Sequence, residues 1–188
     1  NINFIKDFDH NFIVVKNGEL SFSDFKFEDK SKIKIKSFFN NIFTNKKELN
    51  PLVNLNHALA NNGYSLVVED GYKFKKILVI YNLYTDDLNE NILNSRNNIE
   101  VGKNSELHTM EITLNKSKEN FFNNVYEKVI LKDSAKYKNI SVQNGRSQGY
   151  FHKFSKNIAA NYHQSLGTLV HLLSQLGQQK NRSLRRQL

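Results

Sequence analysis

At 188 residues the chain fits one domain, and the absence of cysteine rules out disulfides, thiolate nucleophiles and cysteine metal ligands within it. The formal net charge of +9 comes from lysines spread along the whole chain, which read as a solvated surface; neither a helix-turn-helix nor an aromatic-plus-glycine RNA signature accompanies them, so the composition argues against a nucleic-acid partner. The longest apolar run, Ile77-Leu78-Val79-Ile80-Tyr81, is too short for a bilayer, no leader pattern opens the chain at Asn1, and a cytoplasmic fragment or processed chain is the expectation.

Taken in order, Asn11-Phe12-Ile13-Val14-Val15-Lys16-Asn17-Gly18-Glu19-Leu20-Ser21 predicts two short strands around Asn17-Gly18, since both turn residues tolerate positive φ. Lys32-Ile33-Lys34-Ile35-Lys36 alternates as a strand with one wet face. A short helix is expected over 37–43, with Phe38, Phe39, Ile42 and Phe43 on one face. A better one is expected over 50–60. There Asn50 is the N-cap, Pro51 the first helical residue, and Leu52, Leu55 and Leu59 form the apolar face, with Asn61-Asn62-Gly63 as the stop.

The stretch 66–143 holds one strand-turn-strand unit three times. Its clearest copy places Ile99, Val101, Leu107, Met110 and Ile112 on Val129, Leu131, Tyr137, Ile140 and Val142 at an offset of 30 residues. A weaker copy, 33 residues earlier, places Leu66, Val68, Phe74, Ile77 and Val79 on the same positions. These fifteen are expected to be mostly buried and stacked between coils, because alternation with period two sends one face inward. An ordinary β-meander with hairpins of similar length is the competing reading. The connections 85–95 and 115–124 have loop composition, with Ile92-Leu93 as a possible helical turn. Gly145-Arg146-Ser147-Gln148-Gly149 lacks the Walker pattern and reads as a plain turn. From Tyr162 residue usage changes to Gln, Leu and Arg, and 162–188 reads as a helical or disordered tail foreign to the repeats.

No catalytic, cofactor-binding or metal-binding residue is assigned. His10, His57, His108, His152, His163 and His171 show no metal-ligand spacing, Asp86-Asp87 sits in a polar loop, and no nucleophile elbow or phosphate loop is present.

Several segments nevertheless resemble the SufB/SufD family, the scaffold subunits of the SUF iron–sulfur cluster assembly system. Leu55-Asn56-His57-Ala58-Leu59-Ala60-Asn61-Asn62-Gly63-Tyr64-Ser65-Leu66-Val67-Val68 is similar to the family's passage from helix to first coil. Arg96-Asn97-Asn98-Ile99-Glu100-Val101-Gly102 resembles its "arginine, then I-x-V-G" rung. Asn124-Val125-Tyr126-Glu127-Lys128-Val129 and Ser141-Val142-Gln143 resemble later rungs, and the Val14 to Leu20 hairpin is closer to SufD than to SufB.

The resemblance covers roughly residues 11–161. It implies a right-handed parallel β-helix: an N-terminal hairpin and helices over 1–63, a partial β-helix core over 64–161, and the atypical tail. It further implies a non-enzymatic scaffold, with a SufB-like subunit and a SufC-like ATPase as partners and no membrane. The iron–sulfur cluster is then handled by the complex and not bound by this chain, which has no thiolate to offer. The competing functions are a β-helix that binds or cleaves an acidic polysaccharide and a basic nucleic-acid-binding domain.

Overall fold

A computed structural model describes residues 5–37, 49–88, 91–144, 149–160 and 169–174. The strands are β1 Asn11–Lys16, β2 Glu19–Asp24, β3 Ile33–Ser37, β4 Asn62–Val68, β5 Leu78–Tyr84, β6 Ile92–Val101, β7 Glu106–Asn115, β8 Phe121–Leu131, β9 Lys136–Asn144, β10 Gly149–Ala159 and β11 Leu169–Ser174; the helix α1 is Pro51–Leu59. They form two sheets, ordered β11-β9-β7-β5-β1-β2 and β10-β8-β6-β4-β3. Each coil crosses from the second sheet to the first and back, and successive coils pair in parallel. The protein is a parallel β-helix. No helix among the described residues is long and apolar enough to cross a membrane.

The first-strand register follows the repeat. Leu66 lies opposite Ile99 and Ile99 opposite Val129; Val68, Val101 and Leu131 line up in the same way. All six are buried in one cluster with Ile13, Ile80 and Leu107. Gly102, which closes the I-x-V-G rung, sits where the backbone of the previous coil comes close. A Cβ there would lie 2.6 Å from the amide nitrogen of Asp70, so only glycine lets the coils stack at this corner.

The second strands depart from expectation in two ways. Met110 and Ile112 do pair with Ile140 and Val142, but Val79 lies opposite Met110 and Tyr81 opposite Ile112, two positions off the 33-residue offset. The earlier coil carries two extra residues at Lys75 and Lys76, whose N–H groups leave the ladder. The buried Glu28 carboxylate takes both, each at 3.0 Å, and also receives Asn11 Nδ2 at 2.8 Å and the Tyr72 hydroxyl at 2.7 Å. An even-numbered insertion leaves the strand faces unchanged.

The faces themselves are the second departure. Val79, Ile77, Met110 and Ile112 pack on the outside of the first sheet, in a separate cluster with Val14 and Tyr81, while Thr109 and Glu111 between them point inward and are buried. The core set is therefore split between two faces, because β5 is apolar on both and β7 carries Met110 and Ile112 on the outer one. Ile5 N–H donates to the Tyr81 hydroxyl at 3.0 Å, so the segment before β1 covers part of that outer face.

Other expectations fare variously. The Asn17-Gly18 turn is present, with φ of 50° and 87°, and Lys34 and Lys36 project from β3 into solvent around the buried Ile33. Asn50 caps α1, its side chain accepting from Leu52 N–H at 2.9 Å. The buried face of α1 is Val53 and Asn56, however, and Leu59 is exposed, because the groove over the second sheet demands hydrogen-bonding groups. The helix ends on an extended Ala60, and Asn62-Gly63 already belongs to β4. Ile92-Leu93 opens the long strand β6 and is not a helical turn; likewise 121–124 belongs to β8. Within the tail, β11 is a strand parallel to β9, with Leu169 opposite Asn139, and so continues the 30-residue repeat where a helical or disordered tail was expected. The expected helix over 37–43 and the turn at 145–149 lie almost wholly outside the described residues.

Candidate functional site

Rows of stacked side chains run along the inside of the coil, and their chemistry changes from one end to the other. One row in the first sheet reads Ile13, Ile80, Glu111, Ser141. Across the lumen a row in the second sheet reads Tyr64, Asn97, Glu127, Ser155. The early coils are filled with hydrocarbon, and the later ones carry charge.

Three side chains dominate the charged end. Lys153 Nζ lies 2.6 Å from Glu111 Oε1 and 2.9 Å from Glu127 Oε2. The carboxylates are almost fully buried, whereas the Lys153 side chain keeps 29% of its surface. Asn139 Nδ2 donates to Glu111 Oε1 at 3.0 Å, and Thr109 Oγ1 donates to Asn139 Oδ1 at 2.9 Å. Ser155 Oγ donates to Glu127 at 3.3 Å.

Two carboxylates sharing one ammonium leave a formal charge of −1 inside the coil. Burial raises the Glu127 pKa and Glu111 adds to the rise, while Lys153 opposes it. For Lys153 burial works downward, but Glu111 and Glu127 outweigh it and hold its pKa above the ordinary lysine value. Burial, then Glu127 and Glu111, push the phenols of Tyr64 and Tyr137 well above the ordinary tyrosine range.

Beside this group lies a cavity of about 350 Å³ between the two sheets. Its polar wall includes Glu111, Lys153, Asn97, Asn123 and Ser141, and its apolar wall Val15, Val125 and Phe151. Asn123 Nδ2 donates to the Tyr84 hydroxyl at 2.7 Å, but the Oδ1 atoms of Asn97 and Asn123 have no hydrogen-bond partner.

A second polar cluster sits outside, where α1 covers the second sheet. Asn56 Nδ2 donates to the carbonyls of Ser95 (3.0 Å) and Asn124 (2.8 Å), and Arg96 Nε donates to Asn56 Oδ1 at 3.2 Å. Asn124 Nδ2 donates to Leu52 O and to Asn94 Oδ1, and the His152 ring bonds Asn124 Oδ1 at 2.9 Å. The Arg96 guanidinium lies 5.9 Å from the Tyr126 ring centre; burial lowers its pKa.

The histidines weighed from the sequence do not converge. His10 bonds Phe8 O and the Tyr81 hydroxyl, His57 packs on Tyr126, His108 faces Glu106, and His152 belongs to the Asn124 cluster. Among the described residues no three metal-ligating side chains gather. Asp87 is a solvated partner of Lys16 and Thr85, which hold its pKa down at about 2, and Asp86 accepts from Lys118 N–H. His163 and the side chain of His171 lie outside the described residues.

Sequence reasoning did not single out Glu111, Glu127 or Lys153 as a site, since Lys153 and Glu111 are 42 residues apart and each sits in an ordinary strand. The available signal was a charged residue at an inward position of a repeat whose equivalent, Ile80, is apolar. No family model and no curated protein matches the chain.

Proposed function

We propose that this protein is a non-catalytic scaffold subunit of iron–sulfur cluster assembly in the cytoplasm, SufD-like, with a SufB-like subunit and a SufC-like ATPase as partners. The observation that supports this reading is the cluster under α1. Three segments that resemble the family in sequence, around Asn56, Arg96 and Asn124, meet there in one hydrogen-bonded group. They are 40 and 68 residues from Asn56 along the chain, so their meeting gives the order and spacing of those motifs a common structural purpose. That purpose is to dock the entry helix on the coil. The absence of cysteine fits a supporting role, since a cluster held by thiolates needs another subunit.

The test is co-expression of the full reading frame that contains this chain with SufB-like and SufC-like subunits of the same source. A complex that survives affinity purification through any one subunit is expected. So is a lack of iron–sulfur absorbance when this chain alone is reconstituted anaerobically. Failure of the complex to form, or a stable cluster on the isolated chain, rejects the proposal.

A further inference from the structure

We propose that the cavity between the two sheets, beside Glu111 and Lys153, binds a small primary ammonium compound with a short alkyl tail. The wall asks for a donor. Glu111 Oε1 receives both Asn139 and Lys153. Asn97 and Asn123, only 9% and 3% exposed, each present an unpartnered Oδ1. Buried acceptors without partners are rare in folded proteins, and here two of them, Asn97 Oδ1 and Asn123 Oδ1, line one cavity.

Charge selects among donors. Glu111, Glu127 and Lys153 together carry −1, so one further cation balances the group and an anion is repelled. A hard divalent metal fits poorly, because among the described residues no three metal-ligating side chains gather there and Lys153 already lies 2.6 and 2.9 Å from one oxygen of each carboxylate. An alkylammonium needs to displace nothing. Its head has three N–H donors for oxygen acceptors, and Val15, Val125 and Phe151 offer hydrocarbon to its tail. The volume of about 350 Å³ equals roughly a dozen waters at about 30 Å³ each, ample for a ligand of this size.

This inference does not depend on the scaffold reading, and its test uses this chain without partners, so each can fail alone. The probe is n-butylammonium chloride, titrated calorimetrically into the purified full chain, with 1-butanol and magnesium chloride as controls. Saturable binding of n-butylammonium is expected, with both controls silent. Glu111→Gln is expected to weaken it about tenfold or more, and Asn97→Leu to weaken it in the same direction. Because Glu111→Gln removes an acceptor of Lys153 and Asn139, folding of each variant is checked by circular dichroism.

A second readout needs no variant: in NMR spectra of the wild-type complex, butyl protons are expected to show contacts to the Phe151 ring. The proposal is overturned by absence of saturation, which means a cavity filled by water alone. It is equally overturned by equal binding of 1-butanol, by preferential binding of magnesium, by unchanged affinity in a folded variant, or by missing Phe151 contacts.

Discussion

The two ends of the lumen solve the same packing problem with opposite chemistry. In the early coils Ile13, Leu66, Ile80 and Ile99 are essentially inaccessible to solvent and pack in one hydrophobic cluster. In the later coils the equivalent rows carry Glu111, Glu127 and Lys153, which satisfy one another and leave acceptors over. An apolar coil gains stability from every buried methylene. A charged coil gains little net stability, because desolvation offsets the attraction of its ion pairs. The contrast teaches that the early coils hold the fold and the later ones carry its chemical specificity.

The largest expected effect lies at the apolar end. Leu66→Ala leaves a cavity between coils and should cost about 3–5 kcal/mol, read from urea unfolding followed by circular dichroism. A loss below about 1 kcal/mol would mean that the early coils are not the stabilising half.

At the charged end Lys153→Met strips two buried carboxylates of their shared cation. The loss should be smaller, roughly 1–3 kcal/mol, because the Lys153 side chain is 29% exposed and water compensates in part. The triple replacement Glu111→Leu, Glu127→Leu, Lys153→Met turns the later lumen into a copy of the early one. Its stability should match or exceed that of the parent, while n-butylammonium binding disappears. A triple variant less stable than Lys153→Met alone would show that the charges stabilise the coil.

The same group sets the response to pH. Lys153, Tyr64 and Tyr137 all have folded pKa values above their ordinary ones, so the folded chain holds protons that the unfolded chain releases. Their contribution is fully present below about pH 10 and is lost as pH rises through the folded values. Glu127, with a raised carboxyl pKa, makes stability fall with rising pH just above about 4.3, and Glu127→Gln should remove that slope. Unfolding midpoints across the pH range check both. The smallest effect expected is that of Ser155→Ala, about 0.5 kcal/mol, since its hydrogen bond to Glu127 is long at 3.3 Å.

Much of the fold was legible in the residues. Asn17-Gly18 named its hairpin, Asn50-Pro51 named the start of α1, and the 30-residue offset between Ile99 and Val129 is the stacking register itself. The helix face was misjudged because leucine spacing marked Leu59 as buried, whereas Asn56 fills the groove. The tail was misjudged over β11 because a change in residue usage hid a strand that pairs at the same offset. The candidate site was almost wholly illegible. Nothing in the strand sequences marks Glu111 as facing Lys153.

By itself, the sequence determined the 30-residue spacing at which 99–112 stacks on 129–142, because turn chemistry and period-two alternation act over a few residues and repeat with the coil. Only the tertiary structure decided which face of β7 looks inward. Met110 and Ile112 alternate as regularly as Leu107 and Thr109, and alternation has no sign until the sheet closes on itself. The insertion at Lys75-Lys76, held by Glu28, and the convergence of Glu111, Glu127 and Lys153 were decided there too. Each depends on segments far apart in the chain, and such contacts exist only once the coils have stacked.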